Sequence, residues 1–98
     1  MKAVFIVYGQ SLSQLIEQVL DKLNIRGFTR WEEVHGRGGK DGEPHYGTHA
    51  WPSKNRATIA MIDNENKVDK LLEALRRINE QAEQQGLNAF VWNIEEAM

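Results

Sequence analysis

Apolar and polar positions alternate along this chain with two different periods. Residues 2–8 (KAVFIVY) are apolar at nearly every position and rich in β-branched and aromatic side chains. A strand that reads this way is covered on both faces. Gly9 ends it. From Ser11 the period becomes helical: Leu12, Leu15, Ile16, Val19, Leu20 and Leu23 make one stripe, with Glu17, Gln18, Asp21 and Lys22 on the other side. Ser11 is placed to cap this helix, with Gln14 completing a capping box, and Asn24 and Gly27 bracket its end. A second strand is predicted over residues 28–35 (FTRWEEVH). Its alternation changes phase between Trp31 and Val34, which a bulge near Glu32 would produce.

A third strand covers residues 55–62 (NRATIAMI) and is apolar on both parities from Ala57 onward. Asp63 and Asn64 begin the turn out of it. Asn66 reads as the N-cap of a second helix, with Asp69 in its first turn and a stripe of Val68, Leu71, Leu72, Leu75 and Ile78. Gly86 reads as the residue that ends it, and residues 87–94 (LNAFVWNI) as the fourth strand before a short acidic tail. The order is β-α-β-β-α-β: an α+β, ferredoxin-like sandwich with a four-stranded antiparallel sheet and two helices on one face. Right-handed crossovers put strands one and three in the centre. Those two strands are apolar on both sides, yet each helix has a single apolar stripe. The second face of the sheet therefore calls for cover from another copy of the chain.

Composition narrows the picture. Ninety-eight residues, 41% of them apolar, suit one small domain with a modest core, a size at which oligomerisation helps. Absence of cysteine excludes disulfides, a thiolate nucleophile, Cys-ligated zinc and iron–sulfur clusters. A net charge of -2 argues against nucleic acid as a partner. The run at residues 3–8 is too short to span a bilayer and has no cleavage-site pattern behind it, so the expectation is a cytoplasmic protein without membrane insertion. No repeat, linker or second domain is visible.

Residues 35–53 (HGRGGKDGEPHYGTHAWPS) hold all three histidines, both prolines and five of the eight glycines. That composition predicts neither helix nor strand, and a loop of this length inside a small domain is usually functional or disordered. Gly36 to Gly42 (GRGGKDG) resembles an anion cradle in which converging backbone N–H groups are joined by Arg37 and Lys40. It is not a P-loop, since no Ser or Thr follows the lysine; the plainer reading is a hairpin turning at Asp41-Gly42. His35, His45 and His49, with Glu33 or Glu43, could ligate zinc, copper or nickel, or could be three solvated histidines. Trp51, beside Pro52, is a candidate anchor for a partner, as exposed aromatics often are. Trp31 and Trp92 could stack on a base or a partner, with Trp92 read as core or subunit interface. No nucleophile–base pair has motif spacing, and Glu32 and Glu33 are not an obvious carboxylate pair. Catalysis is therefore not expected.

These residues resemble the PII (nitrogen regulatory protein P-II) signalling family and its PII-like relatives, with the best match over residues 27–75. Gly27, Phe28 and Thr29 match the start of the family's second strand. Val34, His35, Gly36, Arg37 and Gly38 match its Val-basic-Gly-x-Gly entry into a long loop, the T-loop, and Gly42 matches a further glycine. Asp63, Val68 and Asp69 match the acidic turn and the Val-Asp that opens the second helix. The resemblance implies a single PII-like domain over residues 1–98, with residues 35–54 as a protruding T-loop-like segment. It also implies a homotrimer, a small effector bound at subunit clefts, and a flexible loop that engages a target protein. It carries the effector to Thr29, Gly36 and Gly38, with Arg37 and Lys40 nearby, and puts Tyr46 near the family's modifiable tyrosine.

The chain departs from the family in several places, one of them a second strand that is one residue longer. Gly39-Lys40 stand where the family has Arg-Gln. The glycine-rich phosphate loop before the fourth strand has no counterpart in residues 81–86 (QAEQQG). Weak or absent ATP binding follows, with a smaller anion or another adenine nucleotide the better candidate. The missing loop also brings the C-terminal half toward CutA-like trimers, which share the fold. A metal-binding trimer using the loop histidines is therefore one alternative, and a small enzyme on the same scaffold another.

Overall fold

The computed structural model describes residues 1–35, 55–81 and 86–98. Four strands and two α-helices follow in the order β1 (Lys2–Gly9), α1 (Ser13–Lys22), β2 (Thr29–Val34), β3 (Asn55–Ile62), α2 (Glu65–Gln81) and β4 (Asn88–Asn93). The strands form one antiparallel sheet in the order β2-β3-β1-β4. The two strands apolar on both parities are thus the central ones, as their composition requires.

One face of the sheet carries Val4, Ile6 and Tyr8 of β1, with Ala60 and Ile62 of β3 and Ala89 and Val91 of β4. These residues pack with Ile16 and Leu20 of α1 and with Val68, Leu71 and Leu75 of α2. The core also holds one polar pair, Tyr8 Oη and Thr58 Oγ1 at 2.8 Å, both inaccessible to solvent.

The helix ends differ from the sequence reading. A 3₁₀ turn at Gln10–Leu12 leads into α1, so the residue at the N-cap position is Leu12, which offers no side-chain cap, and not Ser11. The tighter turn passes the chain from strand to helix without a conventional cap. Leu15 points outward and is exposed. The C-terminus of α1 closes as a Schellman motif. Asn24 sits at φ 57, its N–H donates to the Asp21 carbonyl at 3.0 Å, and the Ile25 N–H reaches the Leu20 carbonyl at 2.8 Å. At α2 the cap is Asn64, two residues before the expected Asn66. The Asn64 Oδ1 accepts from the Asn66 N–H at 2.8 Å and the Lys67 N–H at 3.4 Å. A further left-handed residue, Gly86 at φ 64, precedes β4.

Candidate functional site

The second face of the sheet lies open. Val7 and Phe5 of β1 and Ile59 of β3 are half-buried on it, while Trp31 of β2, Met61 of β3, and Phe90 and Trp92 of β4 are exposed. Phe5 is the hub of its aromatics: its ring centroid stands 6.0 Å from Trp31 in an edge-on arrangement and 6.3 Å from Trp92. Trp31 pairs with Ala57 and Trp92 with Ala3, and the large rings beside them leave both alanines buried on an otherwise open face. Trp92 is therefore not part of the chain's own core.

The edge strand β2 supplies two sites, one at each end. At its start, Gly27, Phe28 and Thr29 form a recess of about 290 Å³ with Ile59 and Met61 of β3. The recess is apolar except for the Thr29 hydroxyl and the backbone, so it suits a flat apolar group with one or two hydrogen bonds. At its other end β2 carries the expected bulge. Trp31 pairs with Ala57 and Val34 with Asn55, so Glu32 and Glu33 oppose the single residue Arg56.

An ion-pair network lies on the helix-covered side of this bulge. Arg30 pairs with Glu17 of α1 and, at 3.0 Å, with Glu32. Arg56 of β3 takes the other Glu32 oxygen at 2.8 Å and donates to Ser13 Oγ at the start of α1, also at 2.8 Å. The Arg56 Nε is buried without a partner. Burial opposes the charge on Arg30, but the Glu32 and Glu17 carboxylates outweigh it and raise the pKa of its guanidinium. Two arginines on adjacent strands would repel one another if Glu32 did not lie between them. The carboxylate contributed by the bulge thus joins the last residues of β2, the first of β3 and the start of α1.

Thr29 and His35 are therefore not neighbours. They stand at opposite ends of a six-residue strand, which spans roughly 20 Å at about 3.3 Å per residue. Within one copy of the chain, an effector touching both would have to be extended. His35 is exposed, with its Nε2 3.6 Å from a Glu33 carboxylate oxygen. Gly36, Arg37, Gly38, Lys40, His45, Tyr46, His49 and Trp51 lie outside the described residues. Among the described residues no group of three metal-ligating side chains converges, and no helix is long and apolar enough to cross a membrane.

Sequence reasoning missed the network around Glu32 and the recess beside Gly27. The network had a visible signal: Arg30 and Glu32 are opposite charges at alternate positions of β2, and Arg56 is the one charged residue of β3. The recess had none, because it exists only where β2 and β3 meet.

A four-stranded antiparallel sheet with both helices on one face and an open apolar face on the other is the ferredoxin-like class of α+β protein. Within that class, the family model described as nitrogen regulatory protein P-II matches residues 1–98, and the chain belongs to that family. Among solved structures it is similar to CPII, a nitrogen regulatory PII-like protein from Thiomonas intermedia bound to ADP, AMP and bicarbonate. The identity is 21%, the match covers 95% of this chain and 84% of that one, and the TM-score is 0.76. The apo form of CPII matches at 18% identity, 95% and 89% coverage and a TM-score of 0.65. A PII-like signaling protein from Thermus thermophilus matches at 23% identity, 95% and 85% coverage and a TM-score of 0.58. At these identities the likeness is one of fold. No curated protein matches the sequence significantly.

Proposed function

We propose that this chain is a cytoplasmic, non-enzymatic PII-like regulatory protein. In this reading three copies assemble through the open sheet face. A small effector binds in the clefts between them, and the segment between β2 and β3 engages a target protein through Tyr46 and Trp51. The observation that carries the reading is the recess at Thr29, which opens beside the apolar face that a second copy would cover. Its apolar lining and single hydroxyl fit an adenine ring. Gly36, Arg37, Gly38 and Lys40, beyond the far end of β2, would meet the anionic end of an extended effector. CPII, which shares the fold, is bound to ADP, AMP and bicarbonate, and the missing phosphate loop favours ADP or AMP over ATP here.

Calorimetry with AMP, ADP and ATP on protein of known oligomeric state tests the reading. Saturable binding of AMP or ADP, weakened by Thr29→Val and by Arg37→Ala or Lys40→Ala, is the expected result. Sub-micromolar ATP binding indifferent to all three substitutions would place the phosphates elsewhere and reject this assignment.

A further inference from the structure

A second recess, of about 250 Å³, adjoins the one at Thr29 and shares Gly27 and Met61 with it. It lies where the end of α1, the end of β3 and the start of α2 converge. Two cations line it, and both are held by one residue. The Arg26 Nε donates to Asn24 Oδ1 at 2.9 Å, and the Lys67 ammonium to the Asn24 carbonyl at 3.3 Å. The left-handed turn at Asn24, set by the Schellman closure of α1, presents both acceptors.

Neither cation has a carboxylate partner among the described residues, although Asp63 also lines the recess. Among the described residues, both head groups thus bond to neutral oxygens of Asn24. Lys67 is half-buried, which strengthens its attraction for an opposite charge. The first amides of α2 are not the binding groups, because Asn64 already accepts from Asn66 and Lys67. At Gly27, which joins the two recesses, even a Cβ would meet nothing within 4 Å.

We propose that Arg26 and Lys67 form an oxyanion subsite, taking a phosphate or carboxylate group. The anion is one free in solution, because the function proposed above turns the effector's own anionic end toward Arg37 and Lys40; the subsite stands independently of that function. An oxyanion in this recess would accept a charge-assisted hydrogen bond from each head group. The subsite lies at the Thr29 end of β2 and is built without Arg37 or Lys40.

The test follows the backbone amide resonances of Gly27, Asn64 and Lys67 at constant ionic strength. Inorganic phosphate, bicarbonate, AMP and adenosine are titrated separately into the assembled protein. Phosphate or bicarbonate should shift these amides saturably. Arg26→Gln and Lys67→Gln should each weaken that response about tenfold, while Arg77→Gln, on an exposed cation paired with Glu73 elsewhere on α2, should not. Both tested side chains point into an open recess, and unchanged spectra outside it will show that the variants fold.

A response to phosphate or bicarbonate that the double variant loses, with AMP affinity unchanged, is the expected result. Loss of AMP affinity in the double variant, with adenosine unaffected, would put the nucleotide's own phosphate here and overturn the assignment to a free anion. If adenosine fails to bind while phosphate still shifts Gly27 and Lys67, the base recess is misread and the subsite stands. The subsite is overturned if neither phosphate nor bicarbonate shifts these amides saturably, or if the response survives both substitutions unchanged.

Discussion

At the scale of single residues, the polar groups inside the helix-covered core make the sharpest demand on the sequence. Tyr8 and Thr58 are both fully buried and satisfy each other across β1 and β3. Removing one hydroxyl strands the other, and an unsatisfied buried donor or acceptor costs on the order of 1–3 kcal/mol. Tyr8→Phe and Thr58→Val should each lower the free energy of unfolding in urea by about that amount. The double variant should be less destabilised than the sum of the two, because neither hydroxyl is then left alone. Strict additivity would mean that the two groups do not depend on each other.

Asn24 is legible at the same scale. An Asn just past a helical stripe is a recurrent left-handed terminator, and the structure places it at φ 57. Its second role, as the residue on which Arg26 and Lys67 converge, was not legible, since Lys67 is 43 residues away.

At the scale of elements, caps and bulges were read with unequal success. The phase change in β2 located the bulge, because side-chain parity records an inserted residue directly. The caps were placed less well. Asn64 and Asn66 both have the chemistry of an N-cap, and only backbone geometry chose Asn64. Asn64→Ala should therefore cost about 1 kcal/mol in chemical denaturation, whereas Asn66→Ala should change stability by no more than a few tenths. Equal losses at the two positions would contradict the observed cap.

The bulge makes its own prediction. With Glu32→Gln the carboxylate between Arg30 and Arg56 is gone, and the arginines face each other across β2 and β3. Backbone amides near Val34 and Asn55 should then exchange faster with solvent, while those of β1 and β4 keep their protection. Unchanged exchange at the bulge would show that its hydrogen-bond register alone holds it. The raised pKa of Arg30 fixes the sign of its pH dependence. A cation with a raised folded-state value contributes stability that is lost only as pH climbs through that value, so this contribution is constant through neutral pH.

At the scale of the whole molecule, the open face dominates. Trp31, Met61, Phe90 and Trp92 are each close to half exposed around a half-buried Phe5. Soluble proteins rarely leave so contiguous an apolar surface uncovered. Sedimentation equilibrium at micromolar protein should give about three times the chain mass; a stable monomer would reject the assembly. Phe5→Glu places a charge at the hub of the face and should dissociate the oligomer or prevent folding, since an uncompensated buried charge is strongly unfavourable. A milder variant, Trp92→Ser, keeps the experiment informative if Phe5→Glu does not fold. It should weaken assembly and leave monomer secondary structure intact by circular dichroism.

What the sequence by itself determined was the order of elements, the class of fold, the central position of β1 and β3, and the existence of a face that needs cover. These follow from periodicity, which is local, and from the two-sided apolarity of two strands, which no single helix stripe could satisfy. The tertiary structure decided which groups meet. Thr29 and Gly27 form a recess only because β3 brings Ile59 and Met61 beside them. Arg30, Glu32 and Arg56 become one network only because β2 lies against β3 and α1 crosses behind them. Residues 30 and 56 lie far apart along the chain, and no periodicity connects them. Their contact is set by strand register and helix docking, which long-range packing selects.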